Sequence, residues 1–317
     1  MRRGARANRS PSARRPQVRR RQAALGMFVA VISLLAVAMV SGRGSRAHAR
    51  SGTTTTVALA GGARAGGSRG GVSSARDSAS QAGSKESSEV RRLIALGRPI
   101  YCAGRHGNAV ALTFDDGPGP YTRLVLAKLR KHGVHATFFI VGRNLPLVPG
   151  ATRQERALGA VGDHTFTHPL LTALAPAEAK REIVRTQAAL ARSSGGPVFL
   201  FRPPYGGRNA TIDGIARAHG LLEILWNVDS ADSLGANYAQ IERNVIAGLQ
   251  PGAIILMHEN HGQTVRALLG IFAALQRRHL RTVSVPRLLA DDPPSTAQVR
   301  AGGLGCGVRR GTSFARG

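Results

Sequence analysis

The chain has 317 residues, 43% apolar and 19% charged, which excludes wholesale disorder and a multi-span membrane protein and leaves room for one large or two small domains. Lys and Arg number 44 against 17 Asp and Glu, a net charge of +27, yet twelve Arg and no acid lie within residues 1–50. Only about a third of the excess falls between Tyr101 and Ala290. The basicity thus belongs mainly to the ends, and with no helix-turn-helix, zinc-finger or aromatic–basic signature a nucleic-acid partner is not expected.

Residues 1–22 form a basic N-terminal region with nine Arg. Within residues 23–41, Ala23 to Val40 runs for eighteen residues without a charge. At 1.5 Å per residue that run reaches about 27 Å, close to the hydrocarbon thickness of a bilayer. A basic start followed by an apolar run reads as a signal peptide or as a single-span anchor with its N-terminus inside. Ala47-His48-Ala49 offers a small-x-small cleavage site beyond the run. Either way the rest of the chain is expected outside the cytoplasm, secreted or wall-associated, or tied to the membrane if the segment stays uncleaved.

Residues 42–95 are rich in Gly, Ser, Ala and Thr and are expected to be a flexible linker. Residues 96–290 are expected to form the folded domain, and residues 291–317 a disordered tail apart from Cys306. The two cysteines, Cys102 and Cys306, bracket the domain. In an exported chain an even pair favours a disulfide, with two free thiols as the alternative.

Inside the domain, apolar strands alternate with helices. Strands are expected at 109–114, 136–141, 198–202, 222–228, 253–257 and 282–285. Helices are expected at 122–132, 177–194, 210–219, 238–249 and 264–279, the second opened by Pro176 and closed by Gly195-Gly196. This alternation argues for a parallel sheet covered by helices, better suited to a small or incomplete α/β barrel than to an open sheet.

Polar residues gather where these strands end. The first runs into Asp115-Asp116-Gly117-Pro118, two adjacent carboxylates after an apolar run, or else a solvated turn. His164 and His168 stand four apart, a spacing that on a helical turn puts both imidazoles on one face to share a metal, although two surface histidines would show the same spacing. Two His and one carboxylate leave open positions, as a catalytic zinc-type site does. Further strand ends carry Arg202-Pro203-Pro204-Tyr205-Gly206, Asp229-Ser230-Ala231-Asp232 and Leu256-Met257-His258-Glu259.

These five stretches, in this order, resemble the polysaccharide deacetylases of carbohydrate esterase family 4, the nodulation-protein-type deacetylase domain, over about residues 109–289. The resemblance implies a distorted, incomplete (β/α) TIM-like barrel of the seven- or eight-unit type, with its site at the C-terminal ends of the strands. It implies Asp116, His164 and His168 as ligands of one divalent metal ion, Zn²⁺ first, with Co²⁺, Ni²⁺ or Mn²⁺ as alternatives. It implies Asp115 as general base, Arg202 as the group that orients it, His258 as general acid and Asp232 as the partner of His258. It implies Tyr205, Leu256, Pro203 and Thr165 as substrate-binding residues. The implied activity is metal-dependent removal of N-acetyl groups from an acetylated polysaccharide by a chain expected to be monomeric. Peptidoglycan N-acetylglucosamine is favoured; chitin-type oligomers, an exopolysaccharide or O-acetylated xylan are alternatives. A non-catalytic glycan-binding domain on the same fold is the competing reading, weakened by the intact set Asp115, Asp116, His164, His168 and His258. Ser233 stands where the family often has Trp. Aromatic residues make up only 4% of the chain, so sugar-stacking candidates reduce to Tyr121, Phe166 and Tyr205.

Overall fold

The computed structural model describes residues 70–306, with side chains from residue 80 onward. The apolar run Ala23–Val40 lies outside the described residues, and no described helix is long and apolar enough to cross a membrane.

In chain order the elements are α1 (Gly70–Leu96), β1 (Ala109–Gly117), α2 (Thr122–Lys131), β2 (Ala136–Ile140), α3 (Ala151–Ala157), β3 (Gly159–Asp163), α4 (Pro176–Ser194), β4 (Leu200–Phe201), α5 (Ala210–Ala218), β5 (Leu222–Glu223), β6 (Val228–Asp229), α6 (Tyr238–Gly248), β7 (Ile254–His258), α7 (Gly262–Arg277), β8 (Arg281–Thr282), α8 (Val285–Asp291) and α9 (Thr296–Ala301). The strands pair in the order β5-β4-β3-β2-β1-β7-β6, all parallel, and β8 pairs with the start of β1. The result is a curled, incomplete α/β barrel of the TIM type.

Period-two alternation decides what each strand face carries. On β1, Val110, Leu112 and Phe114 join the layer between sheet and helices, while Ala109 and Ala111 join the interior cluster. Thr113 and Asp115 continue that interior face toward the C-terminal end. On β7, Ile255 and Met257 pack outward and Ile254 packs inward, so Leu256 and His258 follow inward. The interior is therefore apolar at the N-terminal end and polar at the C-terminal end, and Asp115 lies in register beside His258.

The barrel stays open between β5 and β6, and the segment after α1 fills the gap. Ile100 bridges Ile224, and Cys102 bridges Ala253. Cys102 is joined to Cys306 in a disulfide, with Cα atoms 5.9 Å apart. This filler is thereby tied to the other end of the domain.

Several expectations need correction. Residues 70–95 of the expected linker are not linker: with Leu96 they form α1, whose Val90 and Leu93 are buried with α8 side chains in the interior cluster. Gly and Ser dominate the average there, but the last two turns carry an apolar stripe that packing can use. Residues 291–306 are not a disordered tail: α9 is capped by Ser295, and a 3₁₀ turn follows it to Cys306. The expected strand 222–228 is two short strands at opposite ends of the strand order: Ile224 N still donates to Phe201 O of β4 while Ile100 pairs on the other edge of β5, and the chain then crosses to β6 beside β7. β3 and α3 were not anticipated; Gly159–Asp163 offers only two apolar side chains, and it becomes a strand by pairing with β2.

Candidate metal and catalytic site

Each C-terminal strand end delivers one part of the site. β1 ends in Asp115 and Asp116, with Asp116 in the left-handed region at φ 69°. That twist turns two consecutive carboxylates toward different partners. Gly117 follows because a Cβ there would collide with Glu259. The Gly117–Pro118 peptide is cis.

Asp115 is held almost entirely from one side. Arg202, itself fully buried, donates from Nη1 to Asp115 Oδ1 at 2.7 Å and to Thr113 Oγ1 at 2.8 Å. The remaining guanidinium nitrogens donate to Ile224 O at 3.0 Å and Leu225 O at 3.2 Å, and the group lies 4.1 Å from the Phe139 ring centroid. Every donor group of the fork has an acceptor, so its direction is fixed. The second carboxylate oxygen of Asp115 is 3.6 Å from His164 Nε2.

His164 and His168 do not sit on a helical turn. The loop between them has Thr165 and His168 in the left-handed region, at φ 65° and 64°. The imidazoles meet all the same: their ring centroids are 4.9 Å apart, and one ligand atom from each of Asp116, His164 and His168 lies within 4.8 Å of the others. His164 Nδ1 is 2.7 Å from Arg202 O. A carbonyl only accepts, so Nδ1 carries the hydrogen and Nε2 keeps its lone pair. Burial pushes the His164 pKa down, against the pull of Asp115 and Asp116, which favours that neutral form.

Asp116 Oδ1 is buried and receives no hydrogen bond of adequate geometry, although His168 Nε2 is 3.2 Å and His164 Nε2 3.6 Å away. Burial opposes its ionisation, but His168, His164 and His258 together hold it well below the usual carboxylate range. Asn144 Nδ2 donates to its carbonyl at 2.9 Å and Asn260 Nδ2 to its Oδ2 at 3.3 Å. One orphaned carboxylate oxygen and two imidazole nitrogens facing one another are a donor set that a divalent cation of the Zn²⁺ type fits.

Across the site, Asp232 accepts from both His258 Nδ1 and the His258 backbone N–H at 2.7 Å, and from Thr264 Oγ1 at 2.5 Å. Nδ1 is therefore engaged behind, and Nε2 is the free edge of the ring. Burial works against the imidazolium, but Asp232, then Asp115 and Asp116, outweigh it and raise the His258 pKa to about 9.

The residues implied for substrate contact divide. Tyr205, at φ 61° on a Pro-flanked turn, is 59% exposed, with its ring 4.8 Å from that of His168. Leu256 lies on the inward face of β7 and is 4% exposed. Pro203 is buried beside Arg202. Thr165 does not suit a substrate-binding role: it is fully buried, its N–H donates to Asp163 Oδ1 and its Oγ1 accepts from His168 N. Phe166 is covered by Arg185, 3.4 Å from its ring centroid. Ser233 is exposed, and beside it Leu234 is 80% exposed, so the wall where the family often has Trp is open.

Sequence reasoning missed Thr113, Asn144, Glu182, Asn260 and Thr264, all single polar residues whose partners are distant in the chain. It also missed Glu155 and Glu259, two fully buried carboxyls. Burial pushes both up, Glu259 to about 8; Glu259 raises Glu155 further, while contact with Glu155 pulls Glu259 back down.

A family model described as polysaccharide deacetylase matches residues 103–224. A peptidoglycan-N-acetylglucosamine deacetylase of Listeria monocytogenes is 36% identical over 184 residues, 57% of this chain and 39% of that protein. This chain thus accounts for about two-fifths of that relative's length. A chitooligosaccharide deacetylase of a Bradyrhizobium species is 36% identical over 199 residues, 57% of this chain and 90% of that protein. The solved family 4 carbohydrate esterase of Streptomyces lividans, in complex with acetate, superposes with a TM-score of 0.53 at 39% identity, covering 57% of this chain and 92% of its own.

Proposed function

Since the chain belongs to the polysaccharide deacetylase family, we propose that it hydrolyses N-acetyl groups of an extracytoplasmic polysaccharide with the help of one divalent metal ion. The observation that carries this reading is the convergence of Asp116, His164 and His168 beside a fixed Asp115 and opposite His258. Zn²⁺ is the favoured ion for two imidazoles and a carboxylate, with Co²⁺, Ni²⁺ or Mn²⁺ as alternatives. Held by those three side chains, the ion would lower the pKa of water and stabilise the charge that develops on the acyl oxygen.

The chain's own residues account for the proton traffic. Asp115 Oδ2, not engaged by Arg202, accepts the proton of the attacking water. Arg202 keeps that carboxylate oriented beside a second one. The water oxygen bonds to the acetyl carbon, and the C–N bond breaks as His258 Nε2 delivers a proton to the departing amine. Asp232 holds Nδ1 and favours the protonated ring at neutral pH. Base and acid are thus separate groups from adjacent strands, as hydrolysis of an amide with a poor leaving group requires. Leu256 offers an apolar wall for the acetyl methyl, and Tyr205 an exposed ring for a sugar face.

Peptidoglycan N-acetylglucosamine is the favoured substrate, supported by the Listeria relative and by the apolar N-terminal run, which suggests an enzyme beyond the membrane. The disulfide suits the same oxidising compartment. The test is mass spectrometry of peptidoglycan fragments, N-acetylated chito-oligosaccharides and acetylated xylan after incubation with the metal-loaded chain. Loss of acetyl from N-acetylglucosamine residues is expected; loss from xylan alone, or from none, contradicts the proposal.

A further inference from the structure

The loop from His164 to His168 carries two metal-ligand candidates, yet beyond His164, whose N–H continues the β2–β3 pairing to Ile140 O, it has neither helix nor strand bonding to hold it. Two of its non-glycine residues occupy the left-handed region, which is unfavourable for L side chains and persists only where the surroundings impose it. Its shape must come from outside the loop's own backbone.

Four consecutive backbone N–H groups show how. Thr165 N donates to Asp163 Oδ1 at 2.8 Å, and His168 N to Thr165 Oγ1 at 3.1 Å, both local contacts. The two between them, Phe166 N and Thr167 N, donate to the same oxygen, Glu182 Oε2, at 2.9 and 2.7 Å. The other oxygen, Oε1, accepts from Thr167 Oγ1 at 3.0 Å. Glu182 is the one member of this set that belongs to a distant rigid element. It sits in the second turn of α4, a helix opened by Pro176 and anchored through buried Ala179 and Ile183. One turn on, Arg185 covers Phe166. From the opposite side, Gly142 N and Arg143 N donate to the Thr165 and Phe166 carbonyls, both at 2.9 Å.

We infer that Glu182 is a positioning residue that sets the separation of His164 and His168, so that α4 tunes how tightly the site holds its metal. His164 is fastened to β2 and Arg202 through Ile140 O and Arg202 O. His168 has no such tether, and its place is dictated by the loop that Glu182 clamps. Glu182 acts only through backbone N–H groups and a hydroxyl of residues between the ligands. The inference rests on the proposed metal site and adds to it a residue outside the ligand set.

The experiment measures Zn²⁺ affinity of the full chain by competition with a chromophoric chelator, with turnover at saturating Zn²⁺ alongside. Glu182→Gln replaces one acceptor oxygen by an NH₂ that cannot accept. It is expected to weaken Zn²⁺ binding about 10–100-fold, the usual effect of losing a group that orients a ligand, while kcat at saturating metal stays within about 3-fold and KM is unchanged. Thr167→Ala removes only the Oε1 contact and is expected to weaken binding about 2–5-fold, a fraction of the same effect; it serves if Glu182→Gln does not fold. Glu178→Gln, one turn earlier on α4, removes the same charge without touching the loop and is expected to leave affinity unchanged. Unaltered affinity in folded Glu182→Gln and in Thr167→Ala overturns the inference. So does an equal loss in Glu178→Gln, which would make the effect one of charge. A parent chain that binds no Zn²⁺ overturns the metal site itself and is recognised because parent and variants then fail alike.

Discussion

At His258 the charge of one imidazole is decided between burial and a carboxylate. Burial favours the neutral ring, Asp232 favours the charged one, and the balance puts the pKa at about 9. The proton-bearing form is therefore present below that pH and lost above it. Asp232→Asn removes the charge but keeps an acceptor for Nδ1. It is expected to move the alkaline limb of the kcat/KM profile to lower pH by about one unit or more; an unmoved limb would mean that His258 does not supply the proton. Asp115→Asn and His258→Ala are each expected to lower kcat by about 10²–10⁴-fold with metal still bound, read from acetate release and metal content. The principal residues were legible in the sequence because a carboxylate, a guanidinium or an imidazole at the end of an apolar strand has no apolar reason to be there. Their supports were not. Thr113, Thr264 and Asn144 are ordinary polar residues until the fold brings them to partners 89, 32 and 28 positions away. The His164–His168 pair was found for a reason that the fold replaced: a spacing suited to a helical turn is realised by a strained loop.

Among the elements, α1 separates composition from pattern. A Gly/Ser/Ala-rich segment reads as linker, and by average it is one. Its last turns nevertheless place Leu93, fully buried, and Val90, 5% exposed, against the barrel interior. Leu93→Ala is expected to destabilise the chain by about 2–5 kcal/mol, measured as a lower denaturant midpoint with unchanged slope. No change would restore the linker reading. The long helices α2, α4, α6 and α7 were legible from periodicity and from Pro and Gly punctuation. β3 and the β5–β6 break were not, since a strand of two Gly, an Ala, a Val and an Asp carries little pattern, and the break reflects that β5 pairs with β4 while β6 pairs with β7, a choice made by partners distant in the chain.

For the molecule as a whole, ionisation away from the site sets a pH dependence of stability. Arg208 is committed to Asp213 through Nε and Nη2, with Glu223 Oε1 3.2 Å from the same Nε. Two acids share one base, Glu223 is 5% exposed, and burial followed by the Asp213 charge raises its pKa from 4.5 to about 8. The unfolded chain releases this proton near the lower value and the folded chain holds it to the higher one. This group's contribution therefore falls as pH rises between them, by at most about 1.4 kcal/mol per pH unit. Glu223→Gln should match the parent near pH 5 and be more stable than it at pH 8.5 in thermal melts. Equal melting at both pH values would contradict the assignment.

In the proposed reaction one cation held by Asp116, His164 and His168 arms the hydrolysis. The most direct measurement strips the chain with a chelator, adds Zn²⁺ back in fractional equivalents, and follows acetate release from an N-acetylated chito-oligosaccharide. No turnover is expected in the stripped chain, then a linear rise that levels off at one equivalent, with no recovery in His168→Ala. Full turnover by the stripped chain, or a His168→Ala chain that still takes up one equivalent and works at the parent's rate, would contradict it.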